Sequence, residues 1–452
     1  MTRRRLRFRI GLAALALMGT SPAALPAQDV PRPVAGGDTL HVGLQDAFAR
    51  ALTANSGLRA AADQAEAGDR AAAATYRQRF GDLTAVATTS RYANAQLLLP
   101  MSPDLLARGF ANLPFAQDQA HYGLTYSLPV FVGGKLVALS NVARLKADEA
   151  NTLLEGSRWQ VRANVATTYA AVQTLAAATA AYGAEVAALE QTHARVALMV
   201  SQGKRPEVDL LQITDALEEA RAQLADAEAE GTHVRALLLA LLDYSVDQPA
   251  AFDALPDRLP ALMPDSVDWS GLVQKASPVS SAGLRIGQAR NSVRAARADF
   301  LPQLKLGGTL WENAGAGVGP QQTWELTLQA SLPLFSGGRR VAAYESAAAA
   351  ERAAEAALRQ TELRQQAELQ GALARLRSAQ VSLNAAGKRV AAADEAARIE
   401  AVRYDNGAGT MEDLLRARTR AAAAEAFLAR SKGDVLGAAA QINALVEREI
   451  VR

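Results

Sequence analysis

The chain has 452 residues, enough for two or three ordinary domains, and no cysteine. Disulfides, thiolate metal sites, thiol nucleophiles and an N-terminal lipidated Cys are thereby excluded. The 48 basic and 46 acidic residues nearly cancel, and the four His (His41, His121, His193, His233) show no metal-ligand spacing, so neither nucleic acid nor a cofactor is expected as a partner.

In chain order, Arg3, Arg4, Arg5, Arg7 and Arg9 form a basic start, followed by an apolar stretch from Ile10 to Met18 and small residues leading to Ala27-Gln28. Residues 1–27 read as a secretory signal, because the apolar stretch is too short to cross a bilayer. Its removal takes five of the 48 basic residues and leaves 43 against 46 acidic, a net charge of −3. No later apolar run approaches the ~18 residues of a membrane helix, so any membrane segment must be made of β-strands.

Residues 28–245 then offer a short helix (44–53), an Ala-rich helix (58–80), a strand pair at about 83–131, a long helix (135–202) and a returning helix (206–243). Pro249, Pro256, Pro260 and Pro264 mark a linker over 246–266. Residues 267–452 repeat the order: helices 269–275 and 279–300, a strand pair at about 304–334, a long helix 339–406 and a returning helix 410–449.

The repetition is literal. Ser127-Leu-Pro-Val-Phe-Val-Gly-Gly-Lys135 recurs as Ser331-Leu-Pro-Leu-Phe-Ser-Gly-Gly-Arg339, 204 residues on. The same offset carries Val165, Tyr169 and Val172 onto Leu369, Leu373 and Leu376, Gly203 onto Gly407, and Asp209 onto Asp413. A register held this long indicates duplication of a unit of about 200 residues.

Each long helix has 68 residues without Pro, which is ~100 Å at 1.5 Å per residue. Its apolar stripe is narrow, as in Val165, Tyr169 and Val172, and suits extended coiled-coil packing. The strand runs alternate. Tyr122, Leu124, Tyr126, Leu128 and Val130 interleave with His121, Gly123, Thr125 and Ser127, and Trp324, Leu326 and Leu328 interleave with Thr323, Glu325 and Thr327. Runs of about 10 residues with one apolar face fit an outer-membrane barrel. Four strands cannot close one, so two, three or four chains are required if the strands are membranous.

With the duplicated S-L-P-[V/L]-F-x-G-G-[K/R] motif, the long helix and the following G-x-x-x-x-x-D-L-L, the chain resembles the TolC-type outer-membrane efflux family over nearly all of its mature length. The resemblance implies a mainly α chain with membrane β: a homotrimer with a twelve-stranded β-barrel in outer-membrane lipid and a twelve-helix α-barrel tunnel across the periplasm. It further implies passive export, a periplasmic adaptor, an inner-membrane pump (of RND, ABC or MFS type), no cofactor and no enzymatic activity.

Three groups of residues stand out. Pro129, Gly133, Gly134, Pro333, Gly337 and Gly338 are expected at the strand–helix junctions, where Pro ends or edges the ladder and Gly turns the chain. Gly203, Lys204, Arg205, Gly407, Gly409 and Thr410 form the two turns after the long helices, left-handed helix ends that the resemblance places at the adaptor-docking tip. Asp209 and Asp413 stand in the first turns of the returning helices. They either favour the helix N-terminus or form an acidic pore ring, and Arg416 is spaced to pair with Asp413. The family pattern often has a second acid where Arg416 stands and an Arg where Gly409 stands. Gly315, Gly317 and Gly319 suit the turn of the second strand pair, and 96–117 an external loop. A periplasmic coiled-coil adaptor or scaffold without a barrel is the alternative. It lacks a reason for two matching halves with membrane-type strands.

Overall fold

The computed structural model describes residues 39–107, 109, 112–255 and 267–451. The signal segment, its cleavage position and 256–266 of the linker lie outside them.

The chain runs β1 (Leu40–Val42), α1 (Leu44–Ala54), α2 (Ser56–Arg77), β2 (Asp82–Leu97), α3 (Pro103–Ala107), β3 (Phe115–Val132), α4 (Lys135–Ser201), α5 (Glu207–Leu241) and β4 (Ala250–Phe252). The second half runs α6 (Trp269–Gln274), α7 (Ser277–Ala298), β5 (Gln303–Gly315), β6 (Val318–Ser331), α8 (Arg339–Asp405) and α9 (Met411–Val446). The long helices α4 and α8 have 67 residues each. Their apolar stripes bury as expected: Val165, Tyr169 and Val172 in one half, Leu369, Leu373 and Leu376 in the other. Two hairpins, α4–α5 and α8–α9, lie side by side with α4 against α9. Small residues allow the approach; a Cβ at Gly433 would sit 2.9 Å from Thr174 Oγ1.

The linker expectation needs correction. Residues 250–252 are strand β4, which pairs in parallel with β1. The buried Tyr169 ties this small sheet to α4, donating its hydroxyl to Val42 O (3.0 Å) and Asp253 O (2.7 Å). Burial, with the nearby Asp253 charge, pushes that phenol up to about 12.

The other sheet is antiparallel, in the order β2-β3-β5-β6. Here the proline expectation is corrected for one half. Pro129 does not end a ladder; it lies inside the central strand β3, opposite Lys305, at a register irregularity between Pro129 and Phe131. A bulge accommodates the missing N–H. In the second half the strand stops at Ser331, before Pro333. Around Pro129 strand β3 is paired with β5 alone, because its ladder with β2 stops at Asp82–Ser127, whereas β6 ends before its proline is reached. Gly133-Gly134 and Gly337-Gly338 take φ of 64°, 81°, 60° and 80°, the left-handed conformation that turns each strand into its long helix. The loop after β2 is shorter than expected, since Gln96 and Leu97 pair with Ala116 and Phe115. The Gly315–Val318 turn joins β5 and β6 as expected.

Candidate channel site: the strand sheet and the helix tips

Register assigns each sheet residue to a face, because directly opposed residues share a side. Leu83, Tyr126, Gly308 and Leu326 form one row; Ala85, Leu124, Leu310 and Trp324 form the next, and Leu128, Leu306 and Leu328 belong to the same face. Trp324 is 77 % and Leu326 67 % exposed in the single chain, so this apolar face has no cover of its own. The opposite face carries Thr84, Thr125, Thr309 and Glu325, then Thr88, His121, Asn313 and Gln321. Its polar groups bond one another: a His121 ring nitrogen lies 2.7 Å from Asn313 Oδ1, and Asn313 Nδ2 donates to Gln321 O and Thr323 Oγ1. A sheet apolar on one side and hydrogen-bonded polar on the other separates lipid from water. Beyond β6 the apolar exposure continues, with Phe335 88 % exposed.

At the far ends of the long helices, Gly203 and Gly407 adopt φ of 69° and 74°. Lys204 N–H donates to Met199 O and Ala408 N–H to Arg403 O, closing the same helix-ending turn twice. Thr410 caps α9: its hydroxyl oxygen accepts from Asp413 N–H (3.1 Å), and its O–H donates to Asp413 Oδ2 (2.7 Å). The Asp413–Arg416 pairing is therefore corrected. Arg416 bonds Glu412 instead, one helical turn away at i,i+4. Lys204 is exposed, and Gly409 packs so closely on α8 that a Cβ there would lie 3.1 Å from Tyr404 N.

Asp209 belongs to a contact that the sequence did not announce. It is 9 % exposed and accepts from the hydroxyl of Tyr404, itself 2 % exposed, at 3.3 Å. Arg205 lies over the Tyr404 ring at 4.3 Å from its centroid, donates to Tyr404 O at 2.8 Å and approaches Asp209 at 3.9 Å. Burial and the Asp209 charge raise the Tyr404 phenol above its usual range. These three side chains bind the start of α5 to the end of α8, above a core of Val196, Ile213, Leu217, Met411 and Leu414. Asp209 is thus occupied inside its own chain rather than displayed as a ring carboxylate. The signal for the knot was the failure of the repeat: Arg205 has Gly409 as its counterpart and Tyr404 has Val200.

Among the described residues no cluster of His, Asp and Glu is placed to hold a metal, and no helix is long and apolar enough to cross a membrane. Two long helical hairpins continuous with a two-faced four-stranded sheet define the protomer of a channel protein. The model of the outer membrane efflux protein family matches residues 47–242 and 272–446, and the chain belongs to that family, whose place is the outer membrane. It is 29 % identical over 178 residues to outer membrane protein OprJ of Pseudomonas aeruginosa, covering 37 % of this chain and 36 % of that protein. It is 29 % identical over 219 residues to protein CyaE of Bordetella pertussis, covering 47 % and 46 %. The match thus spans less than half the length of these relatives. Solved structures share the fold throughout: the Campylobacter jejuni CmeC outer membrane channel (TM-score 0.79, 18 % identity, 90 % of this chain and 86 % of that one) and VceC from Vibrio cholerae (0.75, 20 %, 90 % and 97 %).

Proposed function

We propose that three copies of this chain close a twelve-stranded barrel through the outer membrane, with their long helices forming a duct across the periplasm. The observation that carries this is the sheet: the outer edges of its two end strands, β2 and β6, have no strand partner within the chain, and its apolar face is bare. Open edges are forbidden in lipid, and β6 of one copy meeting β2 of the next removes them all. The duct exports passively what an inner-membrane pump delivers through a periplasmic adaptor. The adaptor docks at the turns carrying Gly203, Lys204, Arg205, Gly407, Gly409 and Thr410.

The pore constriction, on this reading, is of mixed sign. Asp209 is held by Tyr404 and Arg205, which leaves Asp413, bonded to Thr410, and the Arg416–Glu412 pair, and predicts weak cation selectivity. The test of the whole reading is the mass and shape of the detergent-extracted mature protein, by light scattering and negative-stain imaging. A trimer with a rod of roughly 100 Å is expected. A monomer soluble without detergent overturns it.

A further inference from the structure

The α4–α9 seam holds a carboxyl group that its neighbours leave half satisfied. Glu185, on α4, is 9 % exposed. Its Oε1 accepts a hydrogen bond from Thr419 on α9 at 3.2 Å, and its Oε2 has no hydrogen-bond partner. The nearest cation, Arg418 on α9, is turned elsewhere: it donates to Ala188 O at 2.9 Å and Thr192 Oγ1 at 3.0 Å. From α5 comes a like charge, Glu219, while Arg221 of the same helix is taken by Glu190 of α4 at 2.8 Å. On the other side of Arg418, Arg195 of α4 and Asp405 of α8 are paired with each other at 2.9 Å.

This arrangement suits a neutral carboxylic acid and not a carboxylate. A buried carboxylate with an empty oxygen carries an uncompensated desolvation cost, whereas the protonated group carries far less. Burial pushes the Glu185 carboxyl above the usual carboxylate range, and Glu219 adds to the effect; the Thr419 bond and the Arg418 charge oppose it. Burial acts on Arg418 in the opposite sense and lowers its guanidinium, so each of the two groups would gain by meeting the other.

We propose that Glu185 is a proton-binding joint between the two helical hairpins: protonated, it lets α4 and α9 close, and ionised, it pulls Arg418 off Ala188 and Thr192 and loosens the seam. For an acid whose folded value is raised, the closed seam is fully stable at low pH and loses stability as pH rises through that value. The joint lies 16 residues from the end of α4, about 24 Å along the helix, and is separate from the Tyr404–Asp209 contact. It lets proton concentration around the periplasmic helices act on how firmly one hairpin holds the other.

The test is hydrogen–deuterium exchange of the full mature chain in detergent at about pH 5 and about pH 8, corrected for intrinsic exchange. Peptides covering 181–192 and 414–422 are the readout. In the wild type they are expected to exchange faster at the higher pH, by clearly more than peptides remote from the seam. Glu185→Gln, neutral at every pH, is expected to exchange at the slow rate in both conditions. A wild-type seam with no pH dependence overturns the proposal before any variant is made. So does a Glu185→Gln protein that keeps the wild-type dependence. Because the readout is local exchange, it holds whether or not the protein conducts in the manner proposed above.

Discussion

At the scale of single residues, two tyrosines do different work with the same hydroxyl. Tyr169 is fully buried and its hydroxyl lies within hydrogen-bond distance of two backbone carbonyls, Val42 O and Asp253 O. Tyr169→Phe removes the donor to Asp253 O, while Val42 O keeps the Asp253 N–H at 3.3 Å, and we expect a loss of about 1–3 kcal/mol in stability, read as a lower Tm. The phenol is pushed up to about 12 from 10.0. Its stabilising contribution is therefore complete below pH 10 and declines as pH rises toward 12. A wild-type Tm that falls across that alkaline window, and a Tyr169→Phe Tm that falls less, is the expected result. Equal alkaline loss in both proteins would falsify the role given to this hydroxyl. Tyr404 has a single side-chain acceptor, Asp209, at the longer distance of 3.3 Å. Tyr404→Phe keeps the ring under Arg205, so we expect a smaller loss, about 1 kcal/mol. It should appear as faster amide exchange confined to residues near 404 and 209, with global stability little changed.

At the scale of elements, the duplication supplies its own controls. The returning helices α5 and α9 both end in a residue with positive φ that is not glycine: Asp243 at 60° and Glu447 at 51°, positions 204 residues apart. Both close the same turn, with Tyr244 N–H reaching Leu239 O and Arg448 N–H reaching Asn443 O. Their side chains differ in value. Asp243 makes a partly exposed ion pair with Arg59, whereas Glu447 accepts from both the backbone N–H (2.9 Å) and the hydroxyl (2.8 Å) of Ser277, at the start of α7. Glycine relieves the backbone cost at either site, worth about 1 kcal/mol. Asp243→Gly is expected to be neutral or stabilising, since exposed ion pairs contribute little. Glu447→Gly is expected to destabilise, because it uncaps α7; chemical denaturation of the two variants side by side decides the point. The elements themselves were largely legible in the sequence, because a 67-residue helix free of proline and a strand of alternating character are local properties. What was not legible depended on distant partners. Strand β4 exists only because β1 lies beside it, Pro129 stays in a strand only because β5 is its neighbour, and Tyr404 meets Asp209 across 195 residues. Periodicity carries no information about such meetings.

At the scale of the whole molecule, the duct reading stands on which face of the sheet meets lipid, and neighbouring residues of one strand can test it. Leu326 and Thr327 are adjacent in β6 and point to opposite sides; Leu326 lies opposite Gly308 and Thr327 opposite Gly307. Both strand neighbours are glycines, so local crowding is similar at the two sites. An arginine on the lipid face of an outer-membrane barrel costs about 2–4 kcal/mol near the bilayer midplane, while lumen positions tolerate charge. In a trimer that cost recurs in every copy. Leu326→Arg is therefore expected to lower the yield of membrane-inserted, heat-modifiable oligomer sharply, and Thr327→Arg to leave insertion intact while changing the ion selectivity of the pore in planar bilayers. If the two variants insert equally well, the strands do not face lipid as their register implies. The helical hairpins would then have to be explained as a periplasmic scaffold. If Thr327→Arg alone fails, the faces are reversed, and the polar row of His121 and Asn313 loses its claim to line the lumen.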